Sequence, residues 1–146
     1  MILTPGDVID FEQVEEELAM DQEYFKIQMV AYDPAHATEF ATRMKQYRGL
    51  EMVEVPQRWG QLSEPLKLLM TLIDEGKIQH NGDPVLSWMI GNTSARTNFR
   101  EDMFPMKKRP ENKIDGVFAL LFCLNRSINL VPEKQPVYER RGMRFL

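Results

Sequence analysis

One cysteine and two histidines in 146 residues leave little room for sulfur or imidazole chemistry. Cys123 has no partner within the chain, so an internal disulfide is excluded, and its place in an apolar run predicts an inert packing thiol. His36 and His80 lack ligand-like spacing, so a structural zinc site is not expected. Apolar runs are short as well. None approaches the roughly 20 residues that a membrane-crossing helix needs. The start, Met1-Ile2-Leu3-Thr4-Pro5-Gly6-Asp7, has neither a basic segment nor a cleavage pattern, so cytoplasmic residence is the expectation. There are no internal repeats and no low-complexity tracts.

Oxygen donors, by contrast, are abundant, and they favour magnesium or manganese over zinc. Apolar residues make up 43% of the chain, enough for one domain with a packed core. The net charge of −4 argues against a protein that coats nucleic acid. The charge is unevenly spread, however. Residues 7–23 are acidic without a basic residue, whereas Lys107, Lys108, Arg109 and Lys113 form a basic group, and the tail carries Arg140, Arg141 and Arg144.

Periodicity divides the chain into alternating elements. Thr4-Pro5-Gly6 reads as a turn. Asp10 and Gln13 form a capping-box pattern ahead of Phe11, Val14 and Leu18, predicting a surface helix over 10–22. A buried strand over 24–32 follows, then a helix over 34–48 ending before Gly49, and a strand over 50–55 stopped by Pro56. Leu66, Leu69, Met70 and Ile73 mark a helix over 63–74. Helix, strand, helix, strand, helix implies parallel strands joined by crossover helices. Beyond residue 76, a short helix over 84–92 with Trp88 and Met89 inward leads into an inserted hairpin. The last helix, over 112–127, has a wide apolar face of Ile114, Val117, Phe118, Leu121 and Leu124. Residues 131–146 read as an irregular tail outside the domain.

Asp33 and Asp115 stand where a strand or loop hands over to a helix. Asp33 closes the run Ile27–Tyr32 and precedes Pro34; Asp115 lies in Lys113-Ile114-Asp115-Gly116. Carboxylates at the carboxyl edge of an α/β sheet are placed to hold divalent cations. On spacing alone, helix capping explains Asp33-Pro34 better than catalysis does. The basic group offers phosphate contacts or a solvated loop. Asn92 suits a turn or helix C-cap, His80 an exposed structural role, and Trp88 the core. Ser87 and His80 lack a third partner, so a hydrolase triad is not indicated.

Five segments resemble the nuclease domain of the large terminase subunit of tailed bacteriophages, in the same order. They are Thr4-Pro5-Gly6-Asp7-Val8-Ile9-Asp10, Ala31-Tyr32-Asp33-Pro34, Val53-Glu54-Val55-Pro56-Gln57, His80–Met89 with Gly91-Asn92, and Lys113–Leu120. The resemblance implies an α/β, ribonuclease H-like fold and Mg²⁺- or Mn²⁺-dependent cleavage of double-stranded DNA during genome packaging. It implies that Asp33 and Asp115 are the second and third acidic ligands of a two-metal site, with Lys107, Lys108, Arg109 and Lys113 contacting DNA. The family's first acidic ligand precedes the Thr-Pro-Gly turn at which this sequence begins. The opening strands and that carboxylate are therefore expected to be missing, with weak activity at most. Ala35-His36 and Asp83 depart from the family's usual residues. Implied partners are DNA and the rest of the terminase (ATPase domain, small subunit, portal). An unpaired edge beside the strand ending at Asp33 would favour a homo-oligomer. A non-catalytic DNA- or protein-interaction module, working through the acidic helix and the basic tail, is the alternative.

Overall fold

The computed structural model describes residues 9–35 and 37–130. The expected Thr4-Pro5-Gly6 turn and the tail over 131–146 lie outside the described residues. Asp10 caps α1 (Phe11–Tyr24), its carboxylate accepting from the Glu12 and Gln13 amides. The acidic residues ride on the outside, and α1 leans on the body through Phe11 and Leu18. Its Glu15 pairs with Arg43 on α2 (Thr38–Arg48).

Strand β1 (Val30–Tyr32) pairs in parallel with β2 (Met52–Glu54), Val30 opposite Met52 and Tyr32 opposite Glu54, with α2 as the crossover. The strand expected over 24–32 is thus shorter: Tyr24 ends α1, and only the residues facing β2 join a ladder. A strand exists only where a partner strand supplies hydrogen bonds, and apolarity alone does not mark that length. Helix α2 starts at Thr38 rather than Pro34, with Ala37 at its N-cap and no side chain capping it. Gly49, at φ +65°, ends it in the left-handed region that glycine enters without strain.

Helix α3 (Trp59–Asp74) begins four residues before the expected start and carries Pro65 inside it. Helix α4 (Pro84–Gly91), the antiparallel hairpin β3 (Thr93–Thr97) and β4 (Met103–Lys107), and α5 (Asp115–Asn129) complete the fold. Helix α5 packs on α3, α4 and β1, and β4 lies against α3. Val55, Leu62, Leu66, Leu69, Val117, Leu121 and Phe122 form the main core, while Phe40, Met44 and Leu50 form a second cluster under α1. Rings of Trp59, Phe104, Phe118 and Phe122 follow one another at centroid separations of 5.3, 6.1 and 6.3 Å, tying the hairpin to α3 and α5.

Three packing expectations need correction. Trp88 is 52% exposed, because α4 meets the core through Met89 and turns the indole outward. Met70 and Ile73 are also exposed, since the partners of α3 bury the face of Leu62, Ser63, Pro65, Leu66 and Leu69. Cys123 is exposed rather than packed, on a face of α5 that borders a groove. Among the described residues no helix is long and apolar enough to cross a membrane.

Candidate metal and DNA site

Asp33 follows the last residue of β1 and is half-buried. One carboxylate oxygen accepts from the Ala35 amide at 3.1 Å, closing a local turn. The other oxygen has no hydrogen-bond partner among the described residues. Since α2 begins five residues later with Ala37 at its N-cap, Asp33 does not cap that helix. Next to it, the Tyr32 hydroxyl donates to Glu54 Oε1 at 3.1 Å across the parallel pair. Desolvation, then that acceptor and its negative charge, push the Tyr32 phenol above its ordinary pKa.

Asp115 is the first residue of α5 and is exposed. Ile114 occupies the N-cap position without a side-chain bond, and the Asp115 carboxylate makes no hydrogen bond among the described residues. Its charge suits the positive end of the helix. The segment leading to it is held from α4. Asn92, the C-cap of α4, donates from Nδ2 to the Lys113 carbonyl at 3.3 Å, and the Gly116 amide donates to Met89 Sδ at 3.1 Å. A Cβ on Gly116 would lie 2.9 Å from that sulfur, so glycine permits the approach.

Because β1 and β2 run parallel, Asp33 leaves the sheet at the same end as Val55, Pro56 and Gln57. Gln57, Lys107 and Asp115 are polar wall residues of an open groove of about 540 Å³ that runs along Met29 and along Val30 and Ala31 of β1. Asp33 is not on its wall. A neighbouring groove of about 440 Å³ shares Gln57 and Lys107 and adds Lys108 and Arg109. Sequence reasoning missed Gln57: it lies within a matched segment, but its side chain carries no charge that would single it out.

The basic residues do different things. Lys107 and Arg109 are exposed at the groove margins, and Lys113 is exposed just ahead of α5. Lys108 instead donates from Nζ to the Gly91 carbonyl at 2.7 Å, closing the end of α4. His80 accepts the Gly82 amide at Nδ1, 3.1 Å away, within an exposed loop, and Ser87 Oγ donates to the Asp83 carbonyl at 2.9 Å. Both are used locally.

Asp33 keeps one oxygen unpartnered among the described residues and Asp115 both, oxygen donors of the kind a hard cation takes. They fall short of a two-ion set. Among the described residues, no group of three or more Asp, Glu, His or Cys side chains converges on a metal-sized point.

Comparison with known proteins now fits this geometry into a lineage. In the fold, the chain is similar to a crystal structure of the HK97 bacteriophage large terminase, with a TM-score of 0.74 over 84% of this chain and 26% of that one, at 22% identity. The ribonuclease H-like α/β class expected from the sequence is therefore present. In sequence, it is 29% identical over 130 residues to Protein YmfN of Escherichia coli (strain K12), covering 88% of this chain and 28% of that protein. The chain thus spans little more than a quarter of the relatives it matches. The family model described as "Terminase large subunit, endonuclease domain" matches residues 3–129. On that extent of match, the chain belongs to the terminase large subunit endonuclease domain family.

Proposed function

We propose that this chain is nuclease machinery of a large terminase, cleaving double-stranded DNA during viral genome packaging in the cytoplasm of a bacterial host. The observation that carries this reading is that neither Asp33 nor Asp115 is consumed by helix capping. Each leaves carboxylate oxygen free, and Asp115 shares a groove wall with Lys107. Asp33 and Asp115 would hold magnesium or manganese, which when bound supplies Lewis-acid stabilisation and a more acidic water. Lys107, Arg109 and Lys113 neutralise phosphate and hold the strand, while Lys108 supports them through α4. The rest of the terminase is its working partner.

Incubation of the chain with plasmid DNA and manganese tests this reading. Nicking or linearisation that is abolished by chelator, by Asp33→Ala and by Asp115→Ala supports it. Cleavage that survives both substitutions removes these residues from the site. One alternative is an interaction module that retains the fold without catalysis. That alternative predicts metal-independent binding to DNA or a packaging protein and no cleavage.

A further inference from the structure

The β3–β4 hairpin ends in a tip built unlike an ordinary solvent loop. The Asn98 side chain organises it: Oδ1 accepts from the amides of Arg100 at 2.8 Å and Asp102 at 3.0 Å, while Nδ2 donates to Asp102 Oδ2 at 3.0 Å. The Asn98 amide donates to the Asp102 carbonyl at 2.9 Å, and Glu101 turns the chain at φ +63°. This frame holds Phe99 89% exposed, with the Arg100 guanidinium carbon 5.2 Å from its ring centroid.

The base of the hairpin is equally fixed. The Met103 amide donates to the buried Ser63 hydroxyl on α3 at 3.0 Å, Pro105 is buried, and Phe104 packs between Trp59 and Phe118. A single exposed aromatic is ordinary. One held out on a braced projection, beneath a cation, is a contact element in search of a surface. The charge identifies that surface. Arg96, Arg100, Lys107 and Arg109 are exposed along the hairpin and its exit, against Glu101 and an Asp102 already engaged by Asn98, whereas α1 is strongly acidic. A polyanion with planar stacked groups matches both features, the cations through phosphate and the ring through bases.

We propose that the hairpin is a DNA-probing arm: Arg96, Lys107 and Arg109 follow the phosphates of a duplex, and Phe99 enters its minor groove as a wedge at a base step, with Arg100 beside it. The proposal rests on the nuclease reading only in taking the same duplex as ligand. Flexible pyrimidine–purine steps would be preferred, because they unstack at least cost.

The test uses the full chain, chelator and a short duplex carrying 2-aminopurine next to a central TA step, so that binding is read without cleavage. Wild type is expected to raise the 2-aminopurine emission on binding. Phe99→Ala should lose that rise and bind about tenfold more weakly, with an unchanged salt slope. Arg100→Gln should lower the salt slope by about one. Both positions are exposed, and circular dichroism checks that the variants fold. Wild-type emission or affinity retained by Phe99→Ala overturns the proposal, as does an absence of duplex binding by wild type. Capture of an acidic protein with no DNA response would overturn it in favour of a protein partner. Because binding is read in chelator, where no metal-dependent cleavage occurs, a failure of the cleavage reading leaves this result separately visible.

Discussion

Asn125 Nδ2 donates to the Gln61 carbonyl at 2.9 Å, supplying the hydrogen bond that α3 itself cannot make. Gln61 lies four residues before Pro65, which has no amide hydrogen to offer. Asn125 is buried on α5, so one helix repairs the other where they pack. Asn125→Leu would leave a buried carbonyl unpaired and should destabilise the chain by about 1–3 kcal/mol in a denaturant titration. In a Pro65→Ala background the amide is restored and the same substitution should cost less. An equal cost in both backgrounds would show that the two residues are not coupled.

The two neighbouring lysines should separate in function. Lys107→Gln is expected to weaken duplex binding and lower the salt slope by about one, with little change in melting temperature. Lys108→Gln should instead lower melting temperature, because its ammonium closes the end of α4. Identical effects on binding and stability for both would contradict these assignments.

Gly116 and Met89 should matter more for the placement of Asp115 than for folding. An alanine at 116 gains helix propensity of up to about 1 kcal/mol, which offsets the displacement of a flexible thioether. Gly116→Ala should therefore melt within a few degrees of wild type yet cleave more slowly at limiting manganese. Unchanged cleavage would mean that the Met89 contact does not position the carboxylate.

Asp83 caps α4 by accepting from the Val85 and Leu86 amides at 2.8 and 2.9 Å. The Leu86 bond chiefly, with the Val85 bond, holds its carboxyl below the usual range against an opposing effect of desolvation. A depressed folded-state pKa contributes stability that is complete above the ordinary carboxylate pKa and lost as pH falls through the lowered value. Melting temperature should fall on acidification through that window by less in Asp83→Ser, which caps without titrating. Parallel pH profiles would remove this group from the acid response.

The edge of β1 away from β2 pairs with no strand among the described residues, and we propose it as a site of self-association. Val30 donates to the Glu51 carbonyl and the Tyr32 carbonyl accepts from Val55, so the amide groups of Ala31 point away from β2, towards the groove. Light scattering at micromolar concentration should detect dimers, and Ala31→Pro should reduce them by removing a donor from that edge. A monomer at all concentrations would end this expectation.

Much of the local structure was legible in the sequence because its signals are short-ranged. Asp10 as a cap, Gly49 as a terminator, the α5 stripe of Ile114, Val117 and Leu121, and a hairpin after α4 depend on residues a few positions apart. The family segments likewise singled out Asp33 and Asp115 by their neighbours. Other features depend on partners distant in the chain. Pro65 removes an amide donor from inside α3, and Asn125, sixty residues on, supplies the missing bond. Trp88 looked like core until the packing of α4 turned Met89 inward. Lys108 resembled its basic neighbours until the Gly91 carbonyl engaged it.

The sequence alone determined the order and type of the elements and some of their ends, such as Asp10 and Gly49, because backbone preference and hydrophobic period are carried by adjacent residues. Only the tertiary structure decided which polar groups are spent on holding elements together and which remain free. That division depends on which surfaces meet, and a hydrogen bond or a burial between distant segments has no local signature.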